Sequence, residues 1–70
     1  MDIITAEEII KSPFNPVYVV FPENMKNYRD GWYVSFDLNG SIFVTNGLNS
    51  LSVTGIADLG VAFYKTAVEE

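Results

Sequence analysis

The sequence predicts a small α+β domain: an antiparallel sheet of three strands, or four, with helices packed on one face. Three observations lead to this fold class. A capped amphipathic segment opens the chain, strongly β-forming runs fill its middle, and residues 55–69 divide into apolar and polar arcs at helical spacing. The 70 residues suffice for one domain, residues 1–70, and no repeat or linker divides them.

The first predicted element is a short helix that begins after Thr5. Thr5 and Glu8 have the T-x-x-E spacing of a capping box, in which each side chain binds the other residue's backbone N–H. Glu7 and Lys11 stand one helical turn apart, in the favourable order for an ion pair. Pro13 ends the helix, because the residue before a proline avoids helical backbone.

A strand is predicted next, over Val17–Phe21, which is β-branched and aromatic throughout. Polar and apolar residues do not alternate in it, so both of its faces are expected to meet apolar surroundings. The most polar stretch follows at residues 23–31, as a loop or a short helical turn. It holds Lys26 and Arg29, two of the four basic residues.

The clearest local signal is a β-hairpin around Asn39-Gly40. Asn-Gly between β-forming runs favours a type I′ turn, which needs positive φ at both central residues. The turn sets Phe36 opposite Phe43. The face expected to form the core carries Trp32, Val34, Phe36, Leu38 and Phe43, and the face expected to meet solvent carries Tyr33, Ser35, Asp37, Ile42 and Val44. A second Asn-Gly, at 46–47, predicts another turn, and residues 50–53 a short edge strand.

Two alternatives remain for residues 50–68. The first is a longer C-terminal amphipathic helix from about Gly55 to Glu69, packed over the Trp32/Phe36/Phe43 face. The second is a hairpin that turns at Leu59-Gly60. Glycine inside a helix costs about 1 kcal/mol relative to alanine, but the clean division into two arcs favours the helix.

The residue types that are missing exclude much chemistry. The chain has no histidine and no cysteine, so it lacks an imidazole base, a thiolate nucleophile, disulfides and the usual zinc ligands. Neither a glycine-rich phosphate loop nor a calcium-binding loop is present, and the acidic residues are scattered. We therefore expect no enzymatic activity, no metal site and no cofactor.

The charge and hydropathy patterns limit the classes of partner that we expect for the protein. Nine acidic and four basic residues give a net charge of −5, which opposes direct binding to nucleic acid. No apolar run approaches the ~20 residues of a membrane span, and no secretory signal is visible. Together with the absence of cysteine, this predicts a cytoplasmic location.

The surplus of apolar residues is the main functional clue. Hydrophobic residues make up 49% of the chain, more than so small a domain buries completely, and contiguous exposed apolar surface indicates a partner. We expect a non-enzymatic acidic protein-binding module with an apolar, acid-rimmed face, itself a homodimer or higher oligomer. Its charge would attract a partner with a basic surface. By analogy with small acidic proteins of phages and mobile elements, the expected role is to inhibit or sequester a host or defence component.

The residues predicted to bind the partner come from the second hairpin face, the first strand, the polar loop and the last element: Tyr18, Tyr28, Arg29, Tyr33, Ile42, Val44 and Tyr64. Two other hypotheses stay open. One is an oligomeric sponge for a nucleotide-like small molecule, with Lys26 and Arg29 at subunit interfaces. The other is a structural subunit of a larger assembly.

Overall fold

The computed structural model describes residues 3–12 and 14–65, and within them a six-stranded antiparallel sheet carries two short helices on one face. The strands are β1 (Ile3–Ile4), β2 (Pro16–Val20), β3 (Gly31–Leu38), β4 (Ser41–Thr45), β5 (Ser50–Ser52) and β6 (Ala62–Tyr64). The helices are α1 (Ala6–Lys11) and α2 (Val53–Ala57), and a 3₁₀ turn spans Glu23–Met25. The strand order is β1-β6-β2-β3-β4-β5. No helix in these residues has the length and apolar character needed to cross a membrane.

The N-terminal helix is confirmed. The Thr5 side chain accepts a hydrogen bond of 3.2 Å from the Glu8 N–H, and Lys11 lies 3.5 Å from the Glu7 carboxylate. The Thr5 hydroxyl donates to the Glu8 carboxylate at 3.5 Å. Ile9 points into the core, so α1 covers the sheet with one side.

The hairpin is also confirmed, with the predicted register of Phe36 opposite Phe43. Asn39 and Gly40 both have positive φ, 54° and 83°, as a type I′ turn requires. At the second turn the Asn46 side chain accepts hydrogen bonds of 2.9 Å from two backbone N–H groups. The short edge strand predicted over residues 50–53 is present over Ser50–Ser52 as β5, and Val53 begins α2 instead.

The core lies between the helices and one face of the sheet. Phe21 and Tyr33 pack edge to face, with ring centroids 6.0 Å apart. The remaining buried apolar side chains come from β1, β2, β4 and β6, from both helices and from residue 61: Ile4, Ile9, Val17, Val19, Val44, Val53, Ile56, Val61 and Phe63. No buried side-chain polar atom in the described residues lacks a hydrogen-bond partner.

The predicted fold class is wrong in its strand number and in its long C-terminal helix. The chain forms α2, then a turn through Gly60, then β6, and β6 pairs with β1 and β2. The hairpin alternative is wrong as well, because β6 does not pair with β5. Gly60 has a φ of 91°, which ends the helical backbone. Beyond it, buried Val61 and Phe63 alternate with half-buried neighbours at a strand's period of two. Residues 66–69 of the predicted helix lie outside the described residues.

The predicted assignment of the two hairpin faces is reversed. Trp32 and Val34 are each 49% exposed, whereas Tyr33 is 1% and Val44 0% exposed. The polar groups that suggested a solvent face are either hydrogen-bonded on the core side or exposed at the end of β3. The Tyr33 hydroxyl donates to the Arg29 carbonyl at 3.0 Å, and Asp37 lies at the strand end, where its exposed carboxylate accepts from the Gly40 N–H at 3.0 Å.

Ser35 is the third of these polar groups, and it is fully buried. Its hydroxyl accepts a hydrogen bond of 2.8 Å from the Phe14 N–H and donates one of 3.3 Å to the Asn15 carbonyl. A buried hydroxyl that both donates and accepts a hydrogen bond is compatible with a protein core. Ser35 thereby ties the connection between α1 and β2 to the middle of β3.

Candidate functional site

The second face of the sheet, which we call the open face, is covered by no described helix. Strand alternation and the observed pairing define its members. They are Ile3, Pro16, Tyr18, Val20, Trp32, Val34, Phe36, Leu38, Ser41, Phe43, Thr45, Ser50, Ser52, Ala62 and Tyr64. None of these strand positions carries a charge, and most are aromatic or aliphatic. The solvent face of an antiparallel sheet is ordinarily polar.

An aromatic row crosses three neighbouring strands of the open face. Tyr18 on β2 is paired with Tyr64 on one side and with Trp32 on the other. The Tyr18 and Trp32 rings meet edge to face, with centroids 5.5 Å apart and planes at 86°. This arrangement holds the half-exposed indole in place.

A second aromatic pair lies farther along the same face. Phe36 and Phe43 are stacked, with centroids 5.7 Å apart and planes at 23°. Between the two aromatic rows runs a row of smaller side chains, Pro16, Val34 and Thr45. The open face therefore has two raised aromatic rows with a lower row between them.

The charged side chains of residues 3–12 and 14–65 lie elsewhere. Glu7 and Glu8 are on α1, and Asp58 follows α2, so these acids are on the helix side of the sheet. Lys26 forms an ion pair of 3.1 Å with Asp30 in the loop between β2 and β3. The Asp30 carboxylate also accepts from the Phe21 N–H at 2.9 Å, which anchors that loop to the end of β2.

The structure separates the residues predicted to bind a partner. Tyr18 and Tyr64 lie on the open face. Tyr33 and Val44 are buried in the core.

The other predicted binding residues are not on the open face. Ile42 is half-buried against the core, and Tyr28 packs on Phe21 with ring centroids 5.3 Å apart. Arg29 is exposed in the loop before β3.

Sequence reasoning missed five residues as surface groups because it assigned them to the core: Trp32, Val34, Phe36, Leu38 and Phe43. Both hairpin faces are apolar, so the alternation pattern alone does not distinguish them. The turn geometry gave the correct set of residues for each face, and only the choice of buried face was wrong.

A cavity of about 430 Å³ lies on the helix side, beside α1. Ile4, Ile9 and Val17 line its apolar part, and Lys11 and Lys65 are among its polar lining residues. Within residues 3–12 and 14–65, no three acidic side chains lie together as a metal site.

Comparison of the chain with family models, curated proteins and solved structures finds no match. The open face is therefore the feature of the molecule from which we infer a function.

Proposed function

We propose that this protein is a non-enzymatic binding module that contacts another protein chain through its open face. The observation that carries the proposal is an uncharged, largely apolar sheet surface that no described helix covers. Monomeric proteins rarely expose contiguous apolar patches larger than a few hundred Å², and larger patches mark interaction sites. Six strands spaced about 4.8 Å apart form a face with an area of a few hundred Å².

The central anchors in this proposal are Tyr18, Trp32 and Tyr64. Tyrosine and tryptophan are enriched at interface hot spots, because a rigid ring covers much area at a small cost in conformational entropy. The contact between Tyr18 and Trp32 already restricts the indole in the free protein. Val34 and Leu38 extend the surface along β3.

The charge distribution changes the kind of partner we propose. A partner with a basic surface, as the net charge suggested, would find no carboxylate on the open face itself. The contact surface of the partner is instead apolar and uncharged, and the net charge of −5 acts in long-range steering. Covering such a surface on a target would inhibit or sequester it without chemistry. We propose the cytoplasm as the setting, which suits a chain without cysteine.

The test is site-specific photo-crosslinking in cells of the source organism. A photoreactive phenylalanine analogue replaces Leu38 on the open face or, as the matched control, Leu59 in the turn after α2; the two are 53% and 59% exposed. We expect a discrete protein adduct from position 38 and none from position 59.

A second pair of variants decides whether that adduct depends on the open face. Val34→Lys should abolish the adduct at position 38, and Ile10→Lys, on the exposed side of α1, should leave it intact. Equal labelling at both positions, or an adduct that survives Val34→Lys, would show that the open face is not the interface.

A further inference from the structure

We propose that the occupant of the open face is a second copy of this chain, so that two sheets stack face to face in a symmetric dimer. The inference rests on the proposed function, because it names the partner of the same surface: a second copy takes the place of a separate target there. Stacked sheets bury inner faces of aromatic and β-branched residues about 10 Å apart. The open face has the composition of such an inner face.

The charge of the chain favours contact through the open faces over contact through the helix sides. Two chains of charge −5 repel each other, and a contact through their acids would be unfavourable. Stacking through the open faces puts α1 and α2 of both copies on the outside. The acids on the two helix layers are then roughly 30 Å apart, allowing ~10 Å per layer, which exceeds the Debye length of about 8 Å at physiological salt.

The area of the open face is sufficient for a small interface. In chain order its six strands have two, five, eight, five, three and three residues. At about 3.3 Å per residue and about 4.8 Å between strands, they give a flat footprint on the order of 400 Å². The accessible area is larger, because side chains stand above the plane, and it suits the small interfaces of weaker complexes, which bury less than ~1,200 Å² in total.

The shape of the open face is compatible with self-association. The row of Pro16, Val34 and Thr45 is lower than the aromatic rows on its two sides. In a two-fold dimer the same surface of both copies forms the contact. An aromatic row of one copy can therefore pack over the lower row of the other copy. Trp32 of each copy would lie over the Val34 row of its partner and lose its contact with water.

The test uses Trp32 as its probe, since it is the sole tryptophan of the chain. Sedimentation velocity and fluorescence are measured from about 1 μM to about 1 mM, the range of weak to moderate affinities. We expect a dimer mass at the upper end, with a blue shift of Trp32 emission and reduced acrylamide quenching over the same concentrations. Val34→Lys should raise the dimer Kd by about 100-fold or more, because it buries unpaired charges at the contact.

Ile10→Lys is the matched control, since Ile10 is 41% exposed and lies on α1. It should leave the Kd unchanged. If the far-ultraviolet circular dichroism spectrum shows that the Val34→Lys variant does not fold, Leu38→Lys at the end of the same face is used instead. The same rise in the dimer Kd is expected for it.

Two results would overturn the dimer. One is a wild-type protein that stays monomeric at all concentrations, and the other is a dimer that survives Val34→Lys or leaves Trp32 open to acrylamide. Either result leaves the broader function to the crosslinking experiment: a Val34-dependent adduct with a different polypeptide means that only the occupant is wrong. Absence of any Val34-dependent adduct removes the binding function itself.

Discussion

Replacing Ser35 by alanine tests how the sheet selects its buried face. Ser35 is fully buried, and its hydroxyl joins the Phe14 N–H at 2.8 Å and the Asn15 carbonyl at 3.3 Å. Each hydrogen bond contributes about 0.5–1.5 kcal/mol net, and a buried group left without a partner costs about 1–3 kcal/mol. Water can reach the exposed connection in part, so we expect Ser35→Ala to lower the free energy of unfolding by about 2 kcal/mol. In a domain of 70 residues this corresponds to a fall in Tm of roughly 8–16 °C.

The assay is urea unfolding followed by circular dichroism, at one protein concentration and with the m-value compared between variants. Ser50→Ala on the exposed edge strand is the control, and it should change stability by less than about 0.5 kcal/mol. A loss for Ser35→Ala as small as that of the control would refute the reasoning. It would mean that the hydrogen bonds of Ser35 do not hold the connection between α1 and β2 to the sheet.

Two further predictions concern single residues. Phe14 has a φ of 77°, and its side chain is 65% exposed. Because a left-handed backbone costs a non-glycine residue about 1–2 kcal/mol, Phe14→Gly should raise the free energy of unfolding by about 1 kcal/mol in the same urea assay. A lower free energy of unfolding would contradict this prediction. Burial, together with the nearby Asp30 and Tyr28, raises the pKa of Tyr33 above its ordinary value of 10.0. As the pH rises, the Tyr33 phenol therefore loses its proton in the unfolded chain before it does so in the folded one. The contribution of Tyr33 to the free energy of unfolding is fully present below pH 10.0. It is lost as the pH rises toward the pKa of Tyr33 in the folded protein. Tyr33→Phe should remove this alkaline loss and should cost about 1 kcal/mol at neutral pH, through the missing bond to Arg29; an unchanged alkaline slope in urea titrations would contradict the assignment.

Local features of the fold were predictable because they depend on residues a few positions apart. The Thr5 cap and the Asn39-Gly40 turn are examples, since each satisfies its own backbone groups within one turn of chain. The register of β3 and β4 followed directly from the turn. No distant part of the molecule is needed to specify these elements.

Features that depend on distant contacts were not predictable. Tyr18 pairs with Tyr64. The apolar spacing around Tyr64 also fits a helix, and the pairing with β2 is what makes this segment a strand. Ser35 is acceptable in the core only because Phe14 and Asn15, about 20 residues earlier, come within hydrogen-bonding distance. A pattern of apolar positions does not contain such partners.

The ambiguity between the two hairpin faces and the candidate site have one physical origin. A sheet covered by helices on one face needs only that face to be apolar, and a polar second face would have shown at once which side is buried. Here the second face carries Trp32, Phe36 and Phe43, so the pattern supports either choice. The edge strands do not explain this apolar surface, because β1 and β5 have only two and three residues and offer little backbone for pairing with another chain. In the dimer that we propose, a second copy supplies the apolar surface that covers these side chains, so residues already present in the chain would account for both features.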